Sequence, residues 1–444
     1  MMALTKPNGR YLESIGMPAA VASALGNTIS AGSQKRGFDL LGDSRQNFQN
    51  VPLGSQNNSH FFNMANALNG QRYVCNNMLG IAGDRSDQYL AAGLATALAS
   101  TSKYCVIWSI INDLDAGATA DQAWNGGTYT PTVTGVPVTN IGILPACQQL
   151  IAAGKTPILL SEIGIGGVSA AIVTGCSRYN ELCRELAETG QIIYIDVTPV
   201  LWDPSAALSN TIAFLAGRMQ DVLHPNGLGS YYMAQLFINA LPDVPPLNVV
   251  PCALSEDPNQ QILGNNLFTY ETGGTISGGT VTGLAPADWT LLVPTGWTVA
   301  LTYVAEPNGV GHELQLAITA TGAGIVQLIN QSPLGNIQPG NIIQAGASFN
   351  VLAGASPNFV GFDTELYAYA AGNVLIAAGL DYFNGGVSNQ GPSVAYSYQT
   401  KTPKVVTPVG TAIGNAYVQM TGSFTAAGTA TVQISKSWCR QRAS

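Results

Sequence analysis

Between residues 36 and 241, short and nearly unbroken apolar runs alternate with longer stretches whose apolar residues recur every three or four positions. The runs are GFDLLG (37–42), RYVCNNML (72–79), YCVIWSII (104–111), TPILLSEI (156–163) and IIYIDVTP (192–199). Each has the length of a strand and is too apolar for a sheet with one wet face. DQYLAAGLATALAST (87–101), IGILPACQQLIAAG (141–154), YNELCRELAETG (179–190) and GSYYMAQLFINAL (229–241) carry helical periodicity and end near Gly or polar residues. Strands that are apolar on both faces must be covered on both, so the pattern predicts a three-layer α/β domain around a five-stranded parallel sheet over 36–241.

The pattern then changes. PDVPPLNVVP (242–251) reads as a proline-rich linker, and beyond it no helical periodicity remains. WTVALTYVA (297–305), HELQLAITATG (312–322), GIVQLIN (324–330), TELYAYAAG (364–372), VLIAAGLDYF (374–383), AYVQMTG (416–422) and TATVQIS (429–435) are β-rich and punctuated by Gly, Pro and Asn. This spacing predicts an all-β sandwich over 252–444, of jelly-roll type. Residues 1–35 have weak helical character and read as either an attachment arm or a cap on the first domain. No repeat of fixed period is present.

Composition narrows the partners. Charged residues are 9% of the chain, with 50 glycines and a net charge of −8. Phosphate recognition needs clustered Lys and Arg, so nucleic acid is excluded as a partner. The first residues, MMALTKPNGRYLESIGMPAAV, lack the charged start, apolar core and cleavage site of a secretion signal, and no run has the length of a membrane span. The seven cysteines form no CxxC pair or Cys/His cluster of metal-ligand spacing, which predicts free, mostly buried thiols and no metal centre. Cys176 and Cys183 share a helical face but stand two turns apart, beyond disulfide reach.

In open α/β sheets the ligand site lies beyond the carboxyl ends of the strands. There the chain carries Gly42-Asp43-Ser44, then Gly83 in a turn, then Ile111-Asn112-Asp113, and after the fifth strand Asp221-Val-Leu-His224. A serine hydroxyl becomes a competent nucleophile when a neighbouring base takes its proton, and histidine suits that role near neutral pH. Of the three histidines, His60 opens a helical stretch and His312 a β run, while His224 follows a strand end of the α/β sheet. Asp221, three residues earlier, can orient the same imidazole. Gly83, Asn112 and the Ser44 N–H supply donors for a tetrahedral oxyanion. Asp43 and Asp113 read as loop scaffolding. Arg45 is either a substrate contact or a structural one. The long loops 114–138 and 199–219 bring Trp124, Tyr129 and Trp202 to the same edge, as sugar-stacking rings or as loop anchors, and SEIGIGG (161–167) lines the cleft.

GDS (42–44), the glycine of GIAGDRS (80–86), the asparagine of IIND (110–113) and DVLH (221–224) resemble, in order, blocks I, II, III and V of the SGNH/GDSL hydrolases. The resemblance implies a flavodoxin-like fold for 36–241, with Ser44 as nucleophile, His224 as base, Asp221 as its orienter, and Ser44, Gly83 and Asn112 as the oxyanion hole. It also implies ester hydrolysis with no metal or organic cofactor. Two positions depart from the family pattern: Ile110 stands where a glycine is usual, and Arg45 where a leucine is usual.

An esterase domain followed by a jelly roll similar to carbohydrate-binding modules points to an acylated polysaccharide as substrate and to carbohydrate O-deacetylation. The whole resembles bacteriophage tail-spike and tail-fibre enzymes, which implies a virion-tail, extracellular location and a homo-oligomer, a trimer by that resemblance. The competing expectations are a glycan-binding structural virion protein that has lost activity, and a lipase or thioesterase of the same fold.

Overall fold

The computed structural model describes residues 37–46, 60–108, 110–167, 170–203, 212–241, 263–306, 311–330, 337–370, 374–381, 391–402, 404–410 and 415–442. The expected arm at 1–35, the linker at 242–251 and Cys252 lie outside them. Among the described residues the chain forms two compact units, the first holding 37–46, 60–65 and 72–241 and the second 66–71 and 263–442.

The first unit is built on five parallel strands: β1 (Gly37–Gly42), β2 (Val74–Gly80), β3 (Tyr104–Trp108), β6 (Thr156–Leu160) and β7 (Ile193–Ile195), in the order β2-β1-β3-β6-β7. Every residue of inner strand β1 is buried, whereas edge strand β2 is partly exposed along its length. Between β3 and β6 a small antiparallel hairpin, β4 (Gly127–Tyr129) with β5 (Val138–Asn140), occupies the long loop.

Alternation along the strands sends side chains to opposite layers. On one face Phe38 and Tyr104 stack at 4.8 Å, and Phe38 meets Phe62 of α1 (Phe61–Leu68) at 5.2 Å and Phe237 of α8 (Gly227–Ala240) at 5.9 Å. On the other face Leu41, Cys105, Ile107 and Leu159 join one apolar cluster with α2 (Ser86–Ala99), α5 (Ile143–Ala152) and α6 (Ala170–Glu188). Among the described residues the unit also has three short helices: α3 (Ile111–Asp115), α4 (Ala120–Asn125) and α7 (Thr198–Leu201). The three-layer expectation and the strand positions agree with this arrangement. Helix α6 starts at Ala170, nine residues before the YNELCRELAETG pattern, and buries Cys176 and Cys183 as free thiols. Among the described residues no helix is long and apolar enough to cross a membrane.

The second unit is an antiparallel β region. Its strands are β8 (Thr275–Thr282), β9 (Trp289–Ala305), β10 (His312–Ala320), β11 (Gly324–Asn330), β12 (Ile342–Val351), β13 (Phe359–Ala370), β14 (Val374–Asp381), β15 (Tyr396–Lys401), β16 (Val405–Val406), β17 (Asn415–Phe424) and β18 (Gly428–Arg442). They hydrogen-bond along the path β14-β13-β17-β11-β9-β10-β18-β12-β15, with β16 beside β12 and β8 parallel to β9. The two ends of this path face each other. The Phe362 N–H of β13 donates to the Tyr398 hydroxyl of β15 at 2.7 Å, and Phe349 of β12 lies 5.6 Å from the Phe362 ring. Phe349, Phe362 and Tyr398 are buried between them, together with the bonded hydroxyls of Thr364 and Thr400.

Candidate active site

Four segments that leave the carboxyl ends of the parallel strands carry the chemistry. At the end of β1 the chain must turn sharply. Gly42 has φ +155° there, and a Cβ would fall on the Trp108 carbonyl oxygen, so only glycine fits. The turn is closed by Gln46 N–H donating to the Asp43 carbonyl at 3.0 Å, and Arg45 N–H donates to the Asp43 carboxylate at 2.8 Å. Asp43, Arg45 and Gln46 are buried, while Ser44 between them is half-buried. The sequence thus lifts one hydroxyl out of an otherwise buried turn.

The histidine arrives on a loop with its own bracing. A bridge between Met219 and Pro225 closes it, with Gln220 N–H donating to the His224 carbonyl at 2.8 Å. Asn226 ends it as the N-cap of α8, its side chain accepting from Gly229 N–H at 3.0 Å and donating to the Gly217 carbonyl at 2.7 Å. Gly166 N–H, from the loop after β6, donates to the Val222 carbonyl at 2.7 Å. These bonds fix where His224 points.

Ser44 Oγ and His224 Nε2 are 2.8 Å apart, and His224 Nδ1 lies 2.9 Å and 3.1 Å from the two Asp221 carboxylate oxygens. A carboxylate only accepts, so Nδ1 carries the proton and Nε2 accepts from the Ser44 hydroxyl. Burial pushes the Asp221 carboxyl upward, but hydrogen bonds from the His224 backbone, the His224 ring and the Leu223 backbone outweigh it and hold the group below its ordinary value. Asp221 therefore keeps its charge to lower pH than a free aspartate would. It is also 48% exposed, which weakens its field.

On the other flank, Gly83 takes φ +81° in the turn closed by Asp84 N–H donating to the Ile81 carbonyl at 3.2 Å. Asn112 stands in the first turn of α3, and its Nδ2 donates to the Asp84 carbonyl at 2.9 Å. The two expected oxyanion segments are thus tied to each other, with one amide hydrogen of Asn112 used in the tie and one remaining. Ile110, fully buried, precedes α3 with φ −173°, outside the left-handed region that favours glycine.

Several expected residues lie elsewhere in their roles. Arg45, a candidate substrate contact, has a side chain with 0% exposure, and its guanidinium donates to Asp43 and Glu162, so it is no ligand contact. Trp124 is buried with its ring 5.9 Å from Tyr179. Tyr129 is buried, and its hydroxyl donates to Asp87 at 3.1 Å and accepts from Arg85 Nε at 3.1 Å. Trp202 packs against the core and its indole N–H donates to the Ile163 carbonyl at 2.9 Å. The three aromatics are anchors of their loops, because each ring's polar atom or face is used within the protein. Glu162, which sequence reasoning included only within the SEIGIGG segment and gave no role of its own, sits buried at the same sheet edge. Its signal was an acid directly after a buried strand in a chain poor in charge.

Asp113 knits the flank together. Its carboxylate accepts from Ser86 N–H at 2.9 Å and Ser86 Oγ at 2.5 Å, and Asn140 donates to that hydroxyl at 2.5 Å. Burial raises its carboxyl to about 7, against the hydrogen bonds from Ser86 that oppose the rise. An acid raised in the folded state stabilises the fold fully below its unfolded value and loses that contribution as pH rises through the folded one. Relative to an Asp113→Asn variant, wild-type stability should therefore decline between about pH 4 and about pH 7 and then level off, with a slope of at most about 1.4 kcal/mol for each step of one in pH. Thermal melts of both proteins across that range test it; a pH-independent difference would refute the assignment.

His60 immediately precedes α1, its Nδ1 accepting from Phe62 N–H at 3.1 Å, and burial lowers its imidazole to about 3. His312 opens β10 in the second unit. Of the three histidines, His224 is the one beside Ser44.

A parallel α/β sheet bearing a Ser–His–Asp chain at its carboxyl edge defines a hydrolase of the activated-serine class. Residues 40–231 match the model of the GDSL-like lipase/acylhydrolase family, and the α/β unit is a domain of that family, an ester hydrolase domain. The chain is also similar to solved structures: a GDSL-like lipase from Bacteroides thetaiotaomicron VPI-5482 (14% identity, covering 54% of this chain and 100% of that one, TM-score 0.35). A member of the lipolytic G-D-S-L family from Veillonella parvula DSM 2008 matches at 14% identity over 47% of this chain and 98% of that one, with a TM-score of 0.32. An acetyl xylan esterase matches at 18% identity over 46% of this chain and 99% of that one, with a TM-score of 0.33. No curated protein matches the chain.

Proposed function

We propose that the protein is a serine esterase acting on O-acyl, foremost O-acetyl, esters of a polysaccharide. The observation that carries the reading is the continuous hydrogen-bonded chain from Ser44 through His224 to Asp221 in a domain of the acylhydrolase family. Ser44 Oγ attacks the ester carbonyl as His224 Nε2 takes its proton. The oxyanion is held by the Ser44 and Gly83 N–H groups and the remaining Asn112 amide hydrogen. Collapse expels the sugar hydroxyl, protonated by His224, and leaves an acyl-Ser44. Water, deprotonated by the same imidazole, then releases the acid and restores the serine.

A sugar as the alcohol is supported by the polar flank beside Asn112, where Asp84, Arg85 and Asp87 are half-buried and within one short loop of Gly83. We read the antiparallel unit that follows in the chain as a jelly-roll carbohydrate-binding module and, by the resemblance of the whole to tail-spike and tail-fibre enzymes alone, the protein as an oligomeric, virion-tail enzyme that trims acetylated host surface glycans. A second reading, a lipase or thioesterase, draws on Ile81 and Val222, which are 41% and 58% exposed beside Gly83 and His224. Acetate release from a panel of acetylated surface polysaccharides, with p-nitrophenyl esters of increasing chain length alongside, tests both. Acetate release with preference for the shortest ester is expected. Glycan binding without acetate release would point to a structural protein, and preference for long chains to the lipase.

A further inference from the structure

Behind Ser44 lies a group of charges that the reaction does not use. The side chains of Asp43, Arg45 and Glu162 are all at 0% exposure. Arg45 bridges the two acids: Nε and Nη2 donate to Asp43 at 3.1 Å and 2.7 Å, while Nη1 and Nη2 donate to Glu162 at 2.5 Å and 2.9 Å. Its guanidinium lies over the Trp108 ring, 4.8 Å from the centroid. Glu162 is itself fixed. One carboxylate oxygen accepts from Ile163 N–H and Gly164 N–H at 2.9 Å each, and Asn180 of α6 clasps its backbone in both directions, at 2.6 Å and 2.9 Å.

Such a cluster is a poor device for stability, because desolvating three charges offsets most of their attraction. Apolar side chains of the same volume would join β1 to β6 at lower cost. What charges add is direction: a planar fork between two carboxylates fixes both of them and itself in one arrangement. Asp43 and Arg45 are the residues on either side of Ser44, and Asp43 also accepts the Arg45 backbone N–H at 2.8 Å. The orientation of the serine turn is thereby referred to Glu162, 117 residues away and rooted in α6.

We propose that Glu162, acting through Arg45 and Asp43, is a positioning residue that sets the rotation of the Ser44 turn and so the alignment of Ser44 Oγ with His224. This rests on the reading of Ser44 as nucleophile. Misplacing a reacting group by an ångström costs on the order of 100-fold in rate without touching substrate affinity. The Glu162→Gln variant of the full chain removes one charge from the fork and keeps its volume. It should lower kcat on p-nitrophenyl acetate by about 10- to 100-fold with KM within about twofold, equally at every pH, since neither His224 nor Asp221 is altered.

A fluorophosphonate gives an independent readout: Ser44 Oγ bonds to phosphorus, fluoride leaves and the hydroxyl proton passes to His224. Its labelling rate should fall by the same factor as kcat. Glu162→Asp, which keeps the charge but withdraws it by one methylene, should lose activity similarly, and it decides the matter if Glu162→Gln does not fold. A kcat within twofold of wild type in a folded variant would overturn the proposal, as would failure of both variants to fold, which would assign the cluster to stability. Labelling of wild type at Ser44 with unchanged variants leaves the nucleophile standing and removes only the positioning role; absence of labelling at Ser44 removes both.

Discussion

Replacing Ser44 by alanine should lower kcat/KM on p-nitrophenyl acetate by about 10⁴-fold or more, which is about 5.4 kcal/mol of transition-state stabilisation. The magnitude follows from the mechanism: without Oγ no acyl-enzyme forms, and only the oxyanion donors and binding remain to assist direct attack by water. The fold should be indifferent. Ser44 is half-buried and its hydroxyl bonds to the partly exposed His224, so the loss amounts to about one hydrogen bond, roughly 1 kcal/mol. Near-wild-type circular dichroism and melting with abolished turnover is the expected pair of results. Retained turnover in a folded Ser44→Ala protein would remove the serine mechanism altogether, and with it the esterase reading of the site.

Ser44 and Asn112 were legible because each follows a run too apolar to be anything but a buried strand, β1 and β3. GFDLLG ends where charge begins, and β1 spans those same residues, Gly37–Gly42. Topology then does the rest, since parallel strands deliver all their carboxyl ends to one edge. What the residue pattern could not convey was pairing across the fold. In the sequence alone Arg45 stands between a substrate contact and a structural one, because its partner Glu162 lies 117 residues on and only the β1–β3–β6 order brings them together.

The loop aromatics stay open between two readings for a related reason. A ring on a long loop can face solvent or anchor the loop, and the choice depends on partners such as Tyr179 for Trp124 and Ile163 for Trp202. In the second unit the β run is expected to begin at Trp297, after Pro294 and Gly296. Instead β9 runs from Trp289 to Ala305, pairing with β11 through Trp289–Leu292 and with β10 through Thr298–Ala305. The breaker residues mark the place where one strand changes partners. Strand β12 escaped notice because IIQAGASFNV is diluted by small residues, which close packing and pairing with β18 and β15 make tolerable.

The second large effect concerns His224. Its alanine variant should lose about as much kcat/KM as Ser44→Ala, again about 10⁴-fold or more, because a serine with no base is no better than no serine. The sharper expectation is that the two losses do not add. If Ser44 and His224 act as one unit, the Ser44→Ala/His224→Ala double variant should be no slower than either single variant within a few-fold, whereas independent contributions would multiply to about 10⁸. Asp221→Asn should be milder, about 10²-fold, well short of the loss seen for a buried orienting carboxylate. Asp221 is 48% exposed, and the backbone bonds that brace the loop at Val222 and His224 would still hold the imidazole near Ser44. A graded set, with Ser44 and His224 equal and non-additive and Asp221 weaker, is what the geometry requires; an Asp221 loss as large as that of His224 would mean the carboxylate is shielded from water when substrate is bound.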